Sequence, residues 1–122
     1  MVGFTKDNKN HYAGKHLLLD MWGCCGDLSL HGIKDILEKA CKSVGATILF
    51  SHGHEFPGEN SSSGVIVLAE SHASWHTWPE ENNFIAIDIF MCGDCDPMKT
   101  TPILFEYFQP SRISSKLEIR GN

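Results

Sequence analysis

The sequence predicts one α+β domain built as a two-layer sandwich, a mainly antiparallel sheet with two helices on one face. Three observations lead there. Ile33, Ile36, Leu37, Ala40, Cys41 and Val44 recur at spacings of three and four, the period of an amphipathic helix. Short apolar and β-branched runs of strand length lie on either side of it. The chain has 122 residues, 42% of them hydrophobic, enough for one core and too few for two. The order strand, helix, strands, helix, strand puts the helices on one sheet face and leaves the other bare. A two-fold dimer is expected to cover it.

Residues 1–13 are polar and read as an arm ahead of the fold, without the apolar stretch of a signal peptide. Residues 14–122 form the domain. Residues 17–22 are an apolar run ending at Gly23, as in a buried strand, and residues 23–27 are turn-like. The amphipathic helix follows, with Gly45 placed as its stop. Residues 46–51 predict a second strand, and residues 53–63, rich in Gly, Pro, Asn and Ser, a loop. Residues 64–69 predict a central strand. Residues 84–90 predict another, entered through a turn at Asn82 and Asn83. Asp96 is a helix cap before Pro97, but Pro102 would break a long helix, so Thr101 as N-cap is an equally good start. Residues 113–119 close the sheet as an edge strand.

Composition narrows the function. The net charge is −5 and the ten basic residues are scattered, which argues against a nucleic-acid partner. The same balance suits a cationic substrate. No apolar run approaches the roughly 18 residues of a membrane span. Five cysteines, two adjacent and two close together, read as reduced thiols of a cytoplasmic protein.

Residues 63–96 concentrate reactive side chains. The segment Ala69-Glu70-Ser71-His72, followed by His76-Thr77-Trp78-Pro79-Glu80 and by Cys92-Gly93, resembles the short prokaryotic form of S-adenosylmethionine decarboxylase. Gly14-Lys15-His16-Leu17-Leu18-Leu19 is similar to that family's first strand, and Gly45-Ala46-Thr47 and residues 54–56 also fit. The chemistry explains the residue types. Decarboxylating an α-amino acid leaves a carbanion that no natural side chain delocalises, so a carbonyl cofactor is needed. The chain is too short for a pyridoxal-phosphate domain, and a serine can be converted into such a carbonyl in place.

The resemblance implies that the Ser71 hydroxyl attacks the Glu70 carbonyl in an N-to-O acyl shift. Elimination and hydrolysis then leave a covalent pyruvoyl group derived from Ser71, with chains 1–70 and 71–122. It implies that Ser63 and His76 assist processing, that Cys92 protonates the product carbon, and that Phe56 and Glu80 bind the adenine and ribose of S-adenosylmethionine. It also implies a homodimer in which Phe56, Ser63, His76 and Glu80 face Ser71 and Cys92 of the other chain. The product would be the aminopropyl donor for spermidine synthesis. The loop at residues 55–63 is longer than the family's, the turn Glu81-Asn82-Asn83-Phe84 differs, and Gly53 replaces a larger side chain. These changes border the substrate pocket and motivate the alternatives, ornithine or arginine as substrate or an uncut non-catalytic relative.

Simpler readings stand beside these. His72 and His76 are ordinary sheet-face histidines in the absence of the resemblance. Cys92 and Cys95 have C-x-x-C spacing, and a zinc site would draw on Cys24, Cys25, His52 or His54. No metal is demanded. Cys24, Cys25 and Cys41 are most simply buried small apolar residues, and Trp22, Trp75 and Trp78 core side chains.

Overall fold

Alternation along the strands is what builds the sheet. In the computed structural model, which describes residues 4–6 and 11–122, strand β3 (Gly14–Trp22) buries Leu17, Leu19 and Met21 on one face. Strand β7 (Phe84–Cys92) buries Ile85, Ile87, Ile89 and Met91 on the same face. With β4 (Ile48–Glu55), β5 (Ser62–Leu68), β6 (Ser71–Trp78) and β8 (Arg112–Arg120), they form a six-stranded sheet in the order β4-β5-β6-β7-β3-β8. Every neighbouring pair is antiparallel.

Helix α1 (Leu30–Ser43) starts where the Ser29 hydroxyl accepts the Gly32 N–H at 3.1 Å. It ends at Gly45, whose φ of 91° suits glycine alone among common residues. Its buried face, Ile33, Ile36, Leu37, Ala40 and Cys41, is the one the periodicity predicts. Asp96 caps a 3₁₀ turn (Pro97–Thr100) by accepting the Met98 N–H, and helix α2 (Thr101–Phe108) follows with Pro102 in its first turn. Both prolines therefore sit at element starts, where a missing N–H costs nothing. Leu104 and Phe108 join the α1 residues in one core against the sheet, so both helices lie on the same face.

Several expectations are corrected. The loop at residues 53–63 is shorter, because Glu55 pairs with Ser62 and Gly53 with Gly64, leaving only residues 56–61 between strands. Backbone pairing tolerates the polar, glycine-rich run that read as a loop. Residues 64–69 lie one strand in from the β4 edge and are not central. The centre belongs to β6 and β7. Strand β6 was unread because its outer positions are His and Ser, while Ala73, Trp75 and Thr77 point inward. Of the three tryptophans only Trp75 is core. Trp22 and Trp78 both stack on Phe84, on the bare face. Cys25 is exposed, whereas Cys24 and Cys41 are buried as expected. The arm predicted at residues 1–13 lies partly outside the described residues. Within them, β1 (Thr5–Lys6) pairs with β2 (His11–Tyr12).

Candidate active site at the two ends of β6

The turn between β5 and β6 is pinned from both neighbours. The Ala69 N–H donates to the Thr47 carbonyl, and the Thr47 N–H donates to Glu70 Oε1, each at 2.9 Å. The Glu70 carboxylate is thus turned to the β4 side. Its backbone carbonyl receives two donors from the end of β7, the Cys92 N–H at 2.9 Å and the Cys92 Sγ at 2.8 Å. Two donors on one carbonyl oxygen polarise it and would stabilise an oxyanion there.

The next residue, Ser71, has φ of 146°, a conformation that costs a non-glycine residue on the order of 1–3 kcal/mol. Its Oγ lies 3.0 Å from His72 Nδ1. Burial pushes the Cys92 thiol above its ordinary value, and the nearby Glu70 carboxylate adds to the push. Cys92 is therefore held as a thiol, able to give a proton. Cys95 shifts in the same direction for the same reasons.

The other predicted residues gather at the far end of β6. Ser63 pairs with His76 across β5 and β6, and its hydroxyl donates to the Trp75 carbonyl at 3.2 Å. The His76 ring lies 4.0 Å from Trp78 and 5.7 Å from Phe56. Phe56 is 38% exposed, available to a planar ligand. Glu80 is exposed in the β6–β7 turn. A groove of about 330 Å³ on the bare face is lined by Ser63, His76, Ser74, Asp88 and Leu18 among others. His76 lies five residue steps along the extended strand from Ser71, about 16 Å at 3.3 Å per residue. The predicted set thus forms two groups, Glu70, Ser71 and Cys92 at one end and Phe56, Ser63 and His76 at the other.

The family model described as S-adenosylmethionine decarboxylase matches residues 15–121. The chain belongs to this family. Among its relatives, the S-adenosylmethionine decarboxylase proenzyme of Thermomicrobium roseum is 34% identical over 109 residues, covering 88% of this chain and 93% of that protein. The proenzyme of the same name from Methanococcus aeolicus is 38% identical over 105 residues, covering 84% and 88%. The crystal structure of the adenosylmethionine decarboxylase from Aquifex aeolicus VF5 superposes with a TM-score of 0.79 at 31% identity, covering 91% of this chain and 92% of that one.

Within this decarboxylase fold, sequence reasoning passed over His16, Ser74 and Asp88, and took His72 for an ordinary sheet-face residue. Asp88 receives His16 Nε2 at 2.7 Å and the Ser74 hydroxyl on its other oxygen, and lies 3.9 Å from His72 Nε2. The one available signal was Asp88 itself, a charge inside the apolar run Ile85-Ala86-Ile87-Asp88-Ile89-Phe90. Among the described residues, His16, His72 and Asp88 are the one group of three or more His, Cys, Asp or Glu side chains whose ligand-type atoms lie within 4.8 Å of one another. No cysteine belongs to it, so the zinc set suggested by Cys92 and Cys95 with Cys24, Cys25, His52 or His54 is not assembled. Among the described residues no helix is long and apolar enough to cross a membrane.

Proposed function

We propose that this chain cuts itself between Glu70 and Ser71 and, as a homodimer of the cleaved protomers, decarboxylates S-adenosylmethionine with a pyruvoyl group derived from Ser71. The reading rests on the Glu70 carbonyl. It carries two hydrogen-bond donors from Cys92 beside a strained serine whose hydroxyl is itself hydrogen-bonded. An ordinary turn needs none of these features. They fit a serine that becomes the cofactor, because the carbonyl to be attacked is polarised and the cut relieves the strain at Ser71. Once formed, the pyruvoyl group supplies the electron-sink carbonyl that decarboxylation at an α-amino carbon requires.

The chain's own residues do the rest. Cys92, held protonated, gives the proton to the product carbon. Ser63 and His76 assist processing, the hydroxyl at the oxyanion and the imidazole by moving a proton near neutral pH. Phe56 stacks on the adenine and Glu80 accepts hydrogen bonds from the ribose hydroxyls. The separation of about 16 Å along β6 supports a dimer, since Ser63 and His76 cannot reach Ser71 of their own chain. A two-fold pairing of the bare sheet faces brings one chain's His76 end to the other's Ser71 end. Ornithine and arginine offer no ring to stack on Phe56, which favours S-adenosylmethionine. The net charge of −5 supports a cationic substrate and argues against a nucleic-acid partner.

The test is the intact mass of the denatured protein, followed by a substrate panel. Two chains broken after Glu70 are expected, the second beginning with a group lighter than serine and reducible by borohydride. Carbon dioxide release from S-adenosylmethionine, and none from ornithine or arginine, is expected from that material. A permanently intact chain would refute the reading and favour a non-catalytic relative.

A further inference from the structure

A serine hydroxyl is a weak nucleophile at neutral pH and needs a base to take its proton as it attacks. The proposed partner-supplied His76 enters from another chain, yet a second imidazole already touches Ser71. His72 Nδ1 lies 3.0 Å from Ser71 Oγ. A hydroxyl donating to Nδ1 leaves the ring proton on Nε2, and that nitrogen faces the Asp88 carboxylate at 3.9 Å. Asp88 is fixed in turn by Ser74 and by His16 Nε2, and the Arg120 guanidinium sits 3.4 Å from His16 Nδ1. The His72 ring is further held edge-on to Phe90, with centroids 5.9 Å apart. A nucleophile, a base in contact with it and a carboxylate beside that base's other nitrogen correspond to the parts of an activated serine.

We propose that His72 is the base, supplied by the same chain, that takes the Ser71 proton in the self-cleavage step, with Asp88 as its positioning residue. The inference rests on the self-processing reading above. The Ser71 Oγ proton passes to His72 Nδ1 while Oγ bonds to the Glu70 carbonyl carbon. The oxyanion forms on the Glu70 oxygen between the Cys92 N–H and S–H. Collapse breaks the Glu70–Ser71 C–N bond, and the departing Ser71 nitrogen takes the proton back from His72. The result is an ester between Glu70 and the Ser71 oxygen, with a free amine and no outside reactant. His76 of the second chain is left for the later removal of the Ser71 α-proton.

The experiment times cleavage of the full chain made by cell-free translation, read by denaturing electrophoresis and mass. His72→Ala is expected to cleave at least tenfold more slowly than wild type, with added imidazole restoring part of the rate. Its melting temperature should match that of uncut Ser71→Ala. If His72→Ala does not fold, His72→Gln is read in the same way. Asp88→Asn should slow cleavage in the wild-type background and add nothing in the His72→Ala background. Wild-type cleavage by the folded His72 variant, or a defect that imidazole leaves unchanged, overturns the assignment of His72. Slowing by Asp88→Asn that persists in full on top of His72→Ala removes Asp88 from it. A wild-type chain that never cleaves sinks the self-processing reading instead, so the two failures are distinguishable.

Discussion

The two ends of β6 are built on opposite plans. At its start, the Glu70 carbonyl, its two donors, the strained serine and a neighbouring imidazole all come from one chain and already touch. At its far end, Ser63 and His76 line an open groove, and the Phe56 ring lies against His76. The first end is assembled within one chain, whereas the second stands open. Residues contiguous in a motif therefore need not share a site, because an extended strand carries each residue about 3.3 Å farther from the first. The string from Glu70 to Glu80 is divided by its own strand, and a second chain is the natural way to rejoin it.

The sharpest break of that comparison is Ser71→Ala, which should abolish both cleavage and activity. A single uncut mass and no carbon dioxide release are expected. Next in size, Cys92→Ala should lower turnover by roughly 10²–10⁴-fold, the usual worth of a positioned general acid. It should still permit slow cleavage, because the Cys92 N–H continues to donate to Glu70. Steady-state rates on material allowed to process fully will check this.

The plan of the far end is tested by mixing chains. His76→Ala and Ser71→Ala should each remain uncut, or nearly so, when produced alone. Co-produced, the His76→Ala chain should be cut, since its Ser71 then meets an intact His76 on the partner. Mass spectrometry distinguishes the two chains, and cutting that never improves on co-production would place every processing group in one protomer.

Two smaller effects belong to the packed face of the sheet, which should be indifferent to the chemistry. Burial pushes Cys24 and Cys41 up to about 12, Cys24 with help from Cys25 and Cys41 with help from Cys95 and other nearby acids. Their folded pKa values stand above the unfolded one, so the stability they contribute is complete below about pH 9 and is lost as pH rises towards 12. Denaturant midpoints measured across that window should fall, most steeply in its middle, and level off as pH approaches 12. Gly64→Ala would drive a methyl group into the Trp75 indole, which is backed by the core and hydrogen-bonded to Ser62. A loss of about 1–3 kcal/mol is expected from overpacking, with cleavage still after Glu70.

The same division governs what could be read in advance. Helix α1 was legible to its Gly45 stop because helix period and capping are local properties. Strand β6 was not, since its outer positions carry the histidines and serines of the site, and Trp75 alone hardly signals a buried strand. The motif residues were legible through their likeness to a family. His16 and Asp88 were not, because 72 residues separate them and only the pairing of β3 with β7 sets them side by side.

What the sequence by itself determined is the class of fold, the Gly45 stop and buried stripe of α1, the Asp96 cap before Pro97, and the presence of a Glu70–Ser71 pair among residue types that resemble the family's site; Thr100, not Thr101, precedes α2. Only the tertiary structure decided how those types meet. The sheet pairings of β6 put Ser71 in a strained conformation, and the end of β7 brought both donors of Cys92 to a carbonyl 22 residues earlier. The same extended strand sets His76 about 16 Å from the Ser71 of its own chain. Local pattern sets the period and ends of an element, whereas strand register couples residues far apart in the chain and is chosen by the whole sheet at once.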